Sequence, residues 1–208
     1  MSEARAAILG RIRQALADRP TVPEVPWTYG QAVGTGDLDV VERFVERVAD
    51  YKAGVDRVDS AGVGAAIAAA LQAAGADRVV ADAAVRTAWP DSARWLADDS
   101  LTAYELDGID AVVTTATVAI ANTGTIILDH GAGQGRRALS LVPDVHVCVV
   151  EAGQIVDDVP NAVARLVNSG LHTRPLTWIS GPSATSDIEL DRVEGVHGPR
   201  VLHVVVVG

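Results

Sequence analysis

VHVCVV, residues 145–150, is apolar at five of its six positions and β-branched at four. It has neither a polar face nor a helical spacing, which is the pattern of a strand buried on both sides. The same pattern recurs in VLHVVVV (201–207), AVVTTATVAIA (111–121), TIILD (125–129), LTWIS (176–180) and RVVAD (78–82). Helical spacings lie between these runs: Leu38, Val41, Val45 and Val48; Val63, Ile67 and Leu71; Val159, Val163, Leu166 and Val167, the last set read as facing inward. Continuous apolar strands interleaved with helices predict an α/β fold with a largely parallel sheet covered by helices.

Punctuation along the chain sets the expected boundaries. Gly54 ends the first helix, and VDRVD (55–59) reads as a short strand or extended link. Ser60 is an N-cap candidate for the Ala-rich helix, which Gly75 stops as a C′ residue. A further helix is predicted around Pro90 to Ala97, and another from Asp157–Asp158 to just before Gly170. Towards the N-terminus, Ile8, Leu9, Ile12 and Leu16 form one stripe of an amphipathic helix. PTVPEVPW (20–27) carries three prolines and cannot continue it. The chain therefore divides into an N-terminal helix and Pro-rich tether, residues 1–36, and an α/β domain, residues 37–208. Trp27 and Tyr29 of the tether are expected to dock on the domain.

The 208 residues suffice for a core without covalent staples. A net charge of −10 argues against nucleic acid as a partner and against anionic membrane surfaces. No apolar run approaches the ~20 residues of a membrane span, and the N-terminal stretch lacks the layout of a secretion signal, which places the protein in the cytoplasm. Cys148 is the only cysteine, so this chain can hold neither an internal disulfide nor a cysteine-ligated cluster. Inside its strand it reads as a buried apolar side chain.

GAGQGRR, residues 131–137, follows a strand and invites comparison with a phosphate cradle. Arg136 stands where a dinucleotide fingerprint needs its third glycine, Pro143 follows soon after, and no Gly-Lys-Ser/Thr is present. Two readings remain: a flexible hairpin tip, or a mobile loop presenting Arg136 or Arg137 to an anion. ANTGT, residues 121–125, reads as a hairpin turn or as a ligand loop offering amides and hydroxyls. ISGPSATSDIE, residues 179–189, resembles a nucleophile elbow, but Thr185 stands at its final glycine position; a Ser/Asp helix cap is the plainer reading. His146 and His203 lie inside strands and read as core or interface residues, whereas His197 lies in a turn. His146 and Cys148 share a strand face, but two ligands do not make a metal site.

In order, AIANTGTIILD, GRRALSLVPDVHVCVVEAGQIV, ISGPSATSDIE and GVHGPRVLHVVVV resemble the LUD-domain family, lactate utilisation C type. Its pattern runs approximately A-E-T-G-T, S-L-x-P-x-x-H, S-G-P-S-x-T-x-D-I-E, then G-x-H-G-P, and the resemblance covers about residues 105–207. It implies the fold shared by sugar-phosphate isomerases and coenzyme A transferases. It also implies an accessory or substrate-handling role in oxidising L-lactate to pyruvate, beside two iron–sulfur cluster proteins as partners. The clusters would sit in those partners, with no cofactor and no metal in this chain. The alternative is a free-standing enzyme on a small anionic metabolite, coenzyme A transferase-like or sugar-phosphate isomerase-like. The expected pocket lies at the C-terminal ends of the parallel strands and takes a small carboxylate or phosphorylated metabolite. Asn122, Thr123, Gly124, Thr125, Arg136, Ser180, Gly181, Ser183 and His197 are its binding candidates, and Asp187 and Glu189 its candidates for proton transfer. Asn122 stands where the family carries Glu, and an amide cannot serve as a carboxylate nucleophile.

Overall fold

The computed structural model describes residues 3–18, 24, 30–98, 101–182, 184–185, 193–195 and 197–208. Trp27 and Tyr29, whose docking the sequence suggests, lie outside them. The chain divides into two units, Met1–Gln31 and Ala32–Gly208. The first holds α1 (Glu3–Ala15), which has no buried residue.

The second unit is built on six parallel strands: β1 (Gly54–Val58), β2 (Val79–Ala81), β3 (Trp95–Leu96), β4 (Ala111–Thr115), β7 (Val145–Glu151) and β12 (Val201–Val207). They lie side by side in the order β1-β12-β7-β4-β2-β3. A second sheet joins β5 (Val118–Ile120), β6 (Thr125–Leu128), β8 (Ile155–Val156) and β9 (Thr177–Ile179) in the order β8-β5-β6-β9. Its β5–β6 and β6–β9 pairs are antiparallel. A two-residue pair, β10 (Ala184–Thr185) with β11 (Val193–Glu194), stands apart. Among the described residues no helix is long and apolar enough to cross a membrane.

Packing explains why the central strands carry no polar face. One face of the parallel sheet, with Val147, Val149, Val205 and Val207, packs on Val63, Ile67 and Leu71 of α3 (Val63–Ala73). The other face, with Cys148, Val150, Val204 and Val206, meets Ile126 and Leu128 of the second sheet together with Phe44 and Val48 of α2 (Val40–Asp50). The far side of the second sheet is covered in turn by α6 (Val159–Asn168), through Ala162 and Leu166 against Val118, Ile120 and Ile127. The expected α/β fold with its largely parallel sheet is present, and a second sheet is layered on it.

That second sheet arises inside a run which reads as one strand in the sequence. The amide of Ala116 still donates to Val149 of β7 at 3.0 Å, while the amide of Thr117 donates to Ile127 of β6 at 2.9 Å. Within one residue the chain leaves one sheet and enters the other. No glycine or proline marks the break.

Three local expectations are corrected. No helix covers Pro90–Ala97; instead Asp82 caps the short α4 (Ala83–Ala88) through a bond from the Ala84 amide at 2.8 Å, and Trp95 and Leu96 form β3. The Trp95 indole donates to the Trp89 carbonyl at 2.9 Å and closes the intervening turn. The Ala-rich helix is not capped by Ser60: its N-cap is Gly62, whose amide donates to the Asp59 carboxylate at 2.8 Å. On α6 the inward face is Ala162 and Leu166, because a small side chain lets the helix approach the sheet closely, and Val159, Val163 and Val167 are exposed. The expected start at Asp158 holds, its side chain accepting from the Val159 amide. The short α5 (Ala103–Asp107) carries a full capping box between Thr102 and Glu105.

The glycine loop after β6 is not a mobile tip. It closes over the C-terminal ends of β2 and β4, where the Gly133 amide donates to Asp82 at 2.9 Å and its carbonyl accepts from Thr115 at 2.9 Å. The side chain of Gln134, 4% exposed, accepts from the amides of Asp129 and His130 and donates to Thr117 at 2.7 Å. Gly133 has φ +81°, and a Cβ there would lie 2.6 Å from Thr115 Oγ1. Gly133→Ala is therefore expected to lower stability by about 1–3 kcal/mol. Gly10→Ala, on α1 with open space around it, should cost nothing. Denaturant unfolding of the two variants checks the contrast.

Candidate functional site

A cavity of about 160 Å³ lies between β9 and the beginnings of β7 and β12. His146 comes from β7 and Leu202 from β12. Ser140 ends the single 3-10 turn ahead of β7, Thr177 and Ser180 come from β9 and its exit, and His197 comes from the approach to β12. Three of the four sequence segments that carry the family resemblance thus meet at one place. The fourth, ANTGT, reaches the rim through hydroxyls: Thr123 to Thr125 at 2.7 Å, and Thr125 to Ser180 at 2.8 Å.

The cavity is not at the C-terminal ends of the parallel strands, as the sequence suggested. His146 and Leu202 are the second residues of their strands. The expectation counted LTWIS as a member of the parallel sheet. Because β9 belongs to the other sheet, its C-terminal end lies against the starts of β7 and β12.

Tyr51, which no sequence motif marks, holds two of the segments in place. It is the C-cap residue of α2, and its hydroxyl donates to the Gly124 carbonyl at 2.6 Å. Burial, followed by the nearby Cys148, raises its pKa, so it remains a protonated donor. Its ring lies against two glycines. A Cβ on Gly124 would lie 2.9 Å from the ring, and one on Gly181 would lie 3.1 Å from it. Both glycines are left-handed, with φ +63° and +110°. The glycines of ANTGT and ISGP therefore seat an aromatic ring as well as turning the chain.

His146 is 1% exposed, and its Nε2 lies 2.7 Å from Thr114 Oγ1. Burial pulls its pKa down to about 4, so it is neutral near pH 7. Thr114 also donates to Cys148 Sγ at 3.5 Å. Burial pushes the Cys148 thiol up to about 12, with the Thr114 bond opposing, so it is not a thiolate at neutral pH. The core reading of Cys148 holds. That of His146 is incomplete, since the ring also lines the cavity. Among the described residues the lining holds no lysine, arginine or carboxylate.

The other sequence candidates fall elsewhere. The Asn122 amide donates to the carbonyls of Val33 at 2.8 Å and Gly34 at 3.4 Å, a setting that would repel a carboxylate at this position. Arg136 forms a two-pronged ion pair with Asp98, at 2.6 and 2.8 Å, and also reaches the Leu101 carbonyl. It faces a separate open depression of about 600 Å³, shared with Asp129, His130 and Arg174. There Arg174 pairs with Asp129 at 2.6 Å. Burial works to raise the Asp129 carboxyl, but bonds from Thr117, Arg174 and the Gly131 amide outweigh it and hold it below its ordinary value. Each guanidinium in the depression thus has its own carboxylate, which leaves little net charge for an anion. Ser183, Asp187 and Glu189 lie outside the described residues. No group of three or more potential metal ligands occurs among the described residues.

A family model described as the LUD domain matches residues 39–207. Lactate utilization protein C of Deinococcus radiodurans is 46% identical over 209 residues, which span 100% of this chain and 97% of that protein. Lactate utilization protein C of Bacillus pumilus is 38% identical over 91 residues, 42% of this chain and 38% of that protein. A crystal structure of a DUF162-family protein from D. radiodurans superposes with a TM-score of 0.70 at 46% identity, covering 81% of this chain and 96% of that one.

The buried His146 fixes a dependence on pH. Its folded pKa is about 4 against an ordinary 6.5, so between those values the unfolded chain binds the extra proton. Stability contributed by the neutral ring is complete above pH 6.5 and is lost as pH falls towards 4, by an amount on the order of 3 kcal/mol. Thermal unfolding from pH 7.5 to 4 should show this fall, and His146→Gln should flatten it.

Proposed function

This chain belongs to the LUD-domain family, and on that premise we propose that it is an accessory or substrate-handling subunit in lactate utilisation. In this reading it works beside two iron–sulfur proteins in an assembly that oxidises L-lactate to pyruvate, and the cavity between the sheets holds a small carboxylate. The observation that carries the site is the convergence of the SLVPDVH, ISGP and HGP segments on that one cavity. Its volume is about 160 Å³, below the roughly 300 Å³ at which drug-sized pockets begin, and it suits a molecule of a few heavy atoms.

The division of labour follows from ligand chemistry. A cubane cluster takes several thiolates, and the one cysteine here is buried and protonated. Electrons would therefore travel through partner chains, while this chain binds, orients and shields a small acid. A lining without lysine, arginine or carboxylate supports holding it by hydrogen bonds.

A free-standing coenzyme A transferase is the competing reading. Its thioester route needs a carboxylate nucleophile; position 122 holds Asn, bonded to two carbonyls, which leaves Glu189, outside the described residues, as the remaining candidate. Asn122 thus speaks against a nucleophile at its own position.

Affinity capture of the protein under anaerobic conditions, from its own cells grown on L-lactate, should recover two cysteine-rich iron–sulfur proteins by mass spectrometry. Recovery of this chain alone, where those proteins are expressed, would contradict the proposal.

A further inference from the structure

We propose that His130, a residue outside the cavity lining, supplies the positive charge that a bound acid calls for: its ring takes up a proton as the carboxylate enters, and the Thr177 hydroxyl transmits the effect. This rests on the cavity being the carboxylate site of the reading above.

A carboxylate moved out of water is costly unless charge or donors compensate it. The lining holds no lysine or arginine among the described residues. His146 is a poor source of charge, because burial pulls its pKa down to about 4. A second ring reaches the lining through one hydroxyl. Thr177 pairs with Leu128 across the β6–β9 ladder, and directly opposed residues share a face. Leu128 belongs to the apolar layer between the sheets, so the Thr177 side chain faces that layer too, where the residue lines the cavity. Thr177 Oγ1 lies 2.8 Å from Nε2 of His130.

His130 itself lines the outer depression. Its backbone is left-handed, with φ +58°, which is uncommon outside glycine, and its amide donates to the Gln134 side chain at 2.9 Å. Nδ1 is buried and makes no hydrogen bond, so no donor occupies the position where a proton would add. The charged groups around the ring are Asp129 and Arg137 and, in the same depression, Asp82, Arg136 and Arg174. Burial first, then Arg137, hold its pKa below the ordinary value, while the Gly135 backbone and Asp129 act the other way. A carboxylate one hydroxyl away adds to the second group and favours the charged ring. The charged ring donates from Nε2, so Thr177 Oγ1 accepts there and is free to turn its own proton to the acid. The added proton comes from solvent, and the acid loses none.

The plainer account is a neutral ring that ties β6 to β9, which predicts binding without proton uptake. Calorimetric titration of the intact protein with L-lactate, in buffers of different ionisation enthalpy, counts the protons. L-lactate is itself ionised between pH 7 and 8. Uptake should rise towards one proton per acid as pH falls from 8 to 7, with affinity increasing by up to about tenfold across that unit. His130→Asn, which tolerates the left-handed backbone, should abolish both effects. If that variant fails to fold, Thr177→Val, which keeps the ring and removes the bridge, should do the same. Acid binding without uptake in the unmodified protein, or uptake that persists in a folded variant, would overturn the assignment while leaving a carboxylate site in place. If L-lactate does not bind, the reading of the cavity fails and this inference with it.

Discussion

Two amides set the architecture. Ala116 donates to Val149 and Thr117 donates to Ile127, so a continuous apolar run is divided between two sheets within one residue. Everything that follows in the chain is arranged around that division. The hairpin to β6, the return of β9 beside it and the covering helix α6 build the second sheet. The parallel sheet continues separately into β7 and β12. The apolar layer between the sheets, from Phe44 through Ile126 to Val204, is shared, so neither sheet has a core of its own on that side.

The candidate site is a consequence of this layering. Because β9 is in one sheet and β7 and β12 are in the other, their ends approach across the layer and border a small, half-open cavity. Tyr51 fixes the spacing locally. Its ring crowds the space a side chain would need at Gly124 and Gly181, and its hydroxyl holds the hairpin backbone. The hydroxyls from Thr123 to Ser180 then tie hairpin to rim. Positioning here comes from packing and neutral hydrogen bonds. The charged groups lie in the outer depression, where Arg136 and Arg174 are matched by Asp98 and Asp129.

Much of the fold was legible, for a physical reason. A strand buried on both faces has to be apolar throughout, and VHVCVV and VLHVVVV say so without help from context. Helix α6 was legible through its Asp158 cap, but its inward face was not, because valine at helical spacing looks the same whether it faces a sheet or solvent. The change of sheet at Ala116–Thr117 was invisible, since the peptide stays extended across it and only the hydrogen-bond partners change. The site was legible in part. ISGP and His197 were picked out and do line the cavity, whereas Arg136 drew attention by its charge and is committed to Asp98. Tyr51 and His146 were missed as site residues. One ends an ordinary helix and the other lies within an apolar strand, so only tertiary contacts give them a role.

The space between β9 and the starts of β7 and β12 is the proposed ligand site. A crystal structure of the protein soaked with L-lactate tests it most directly. Ordered density for the acid between β9 and the starts of β7 and β12 is the expected result. Density instead in the outer depression beside Arg136 and Arg174, with the inner cavity holding only water, would show that the acid binds elsewhere.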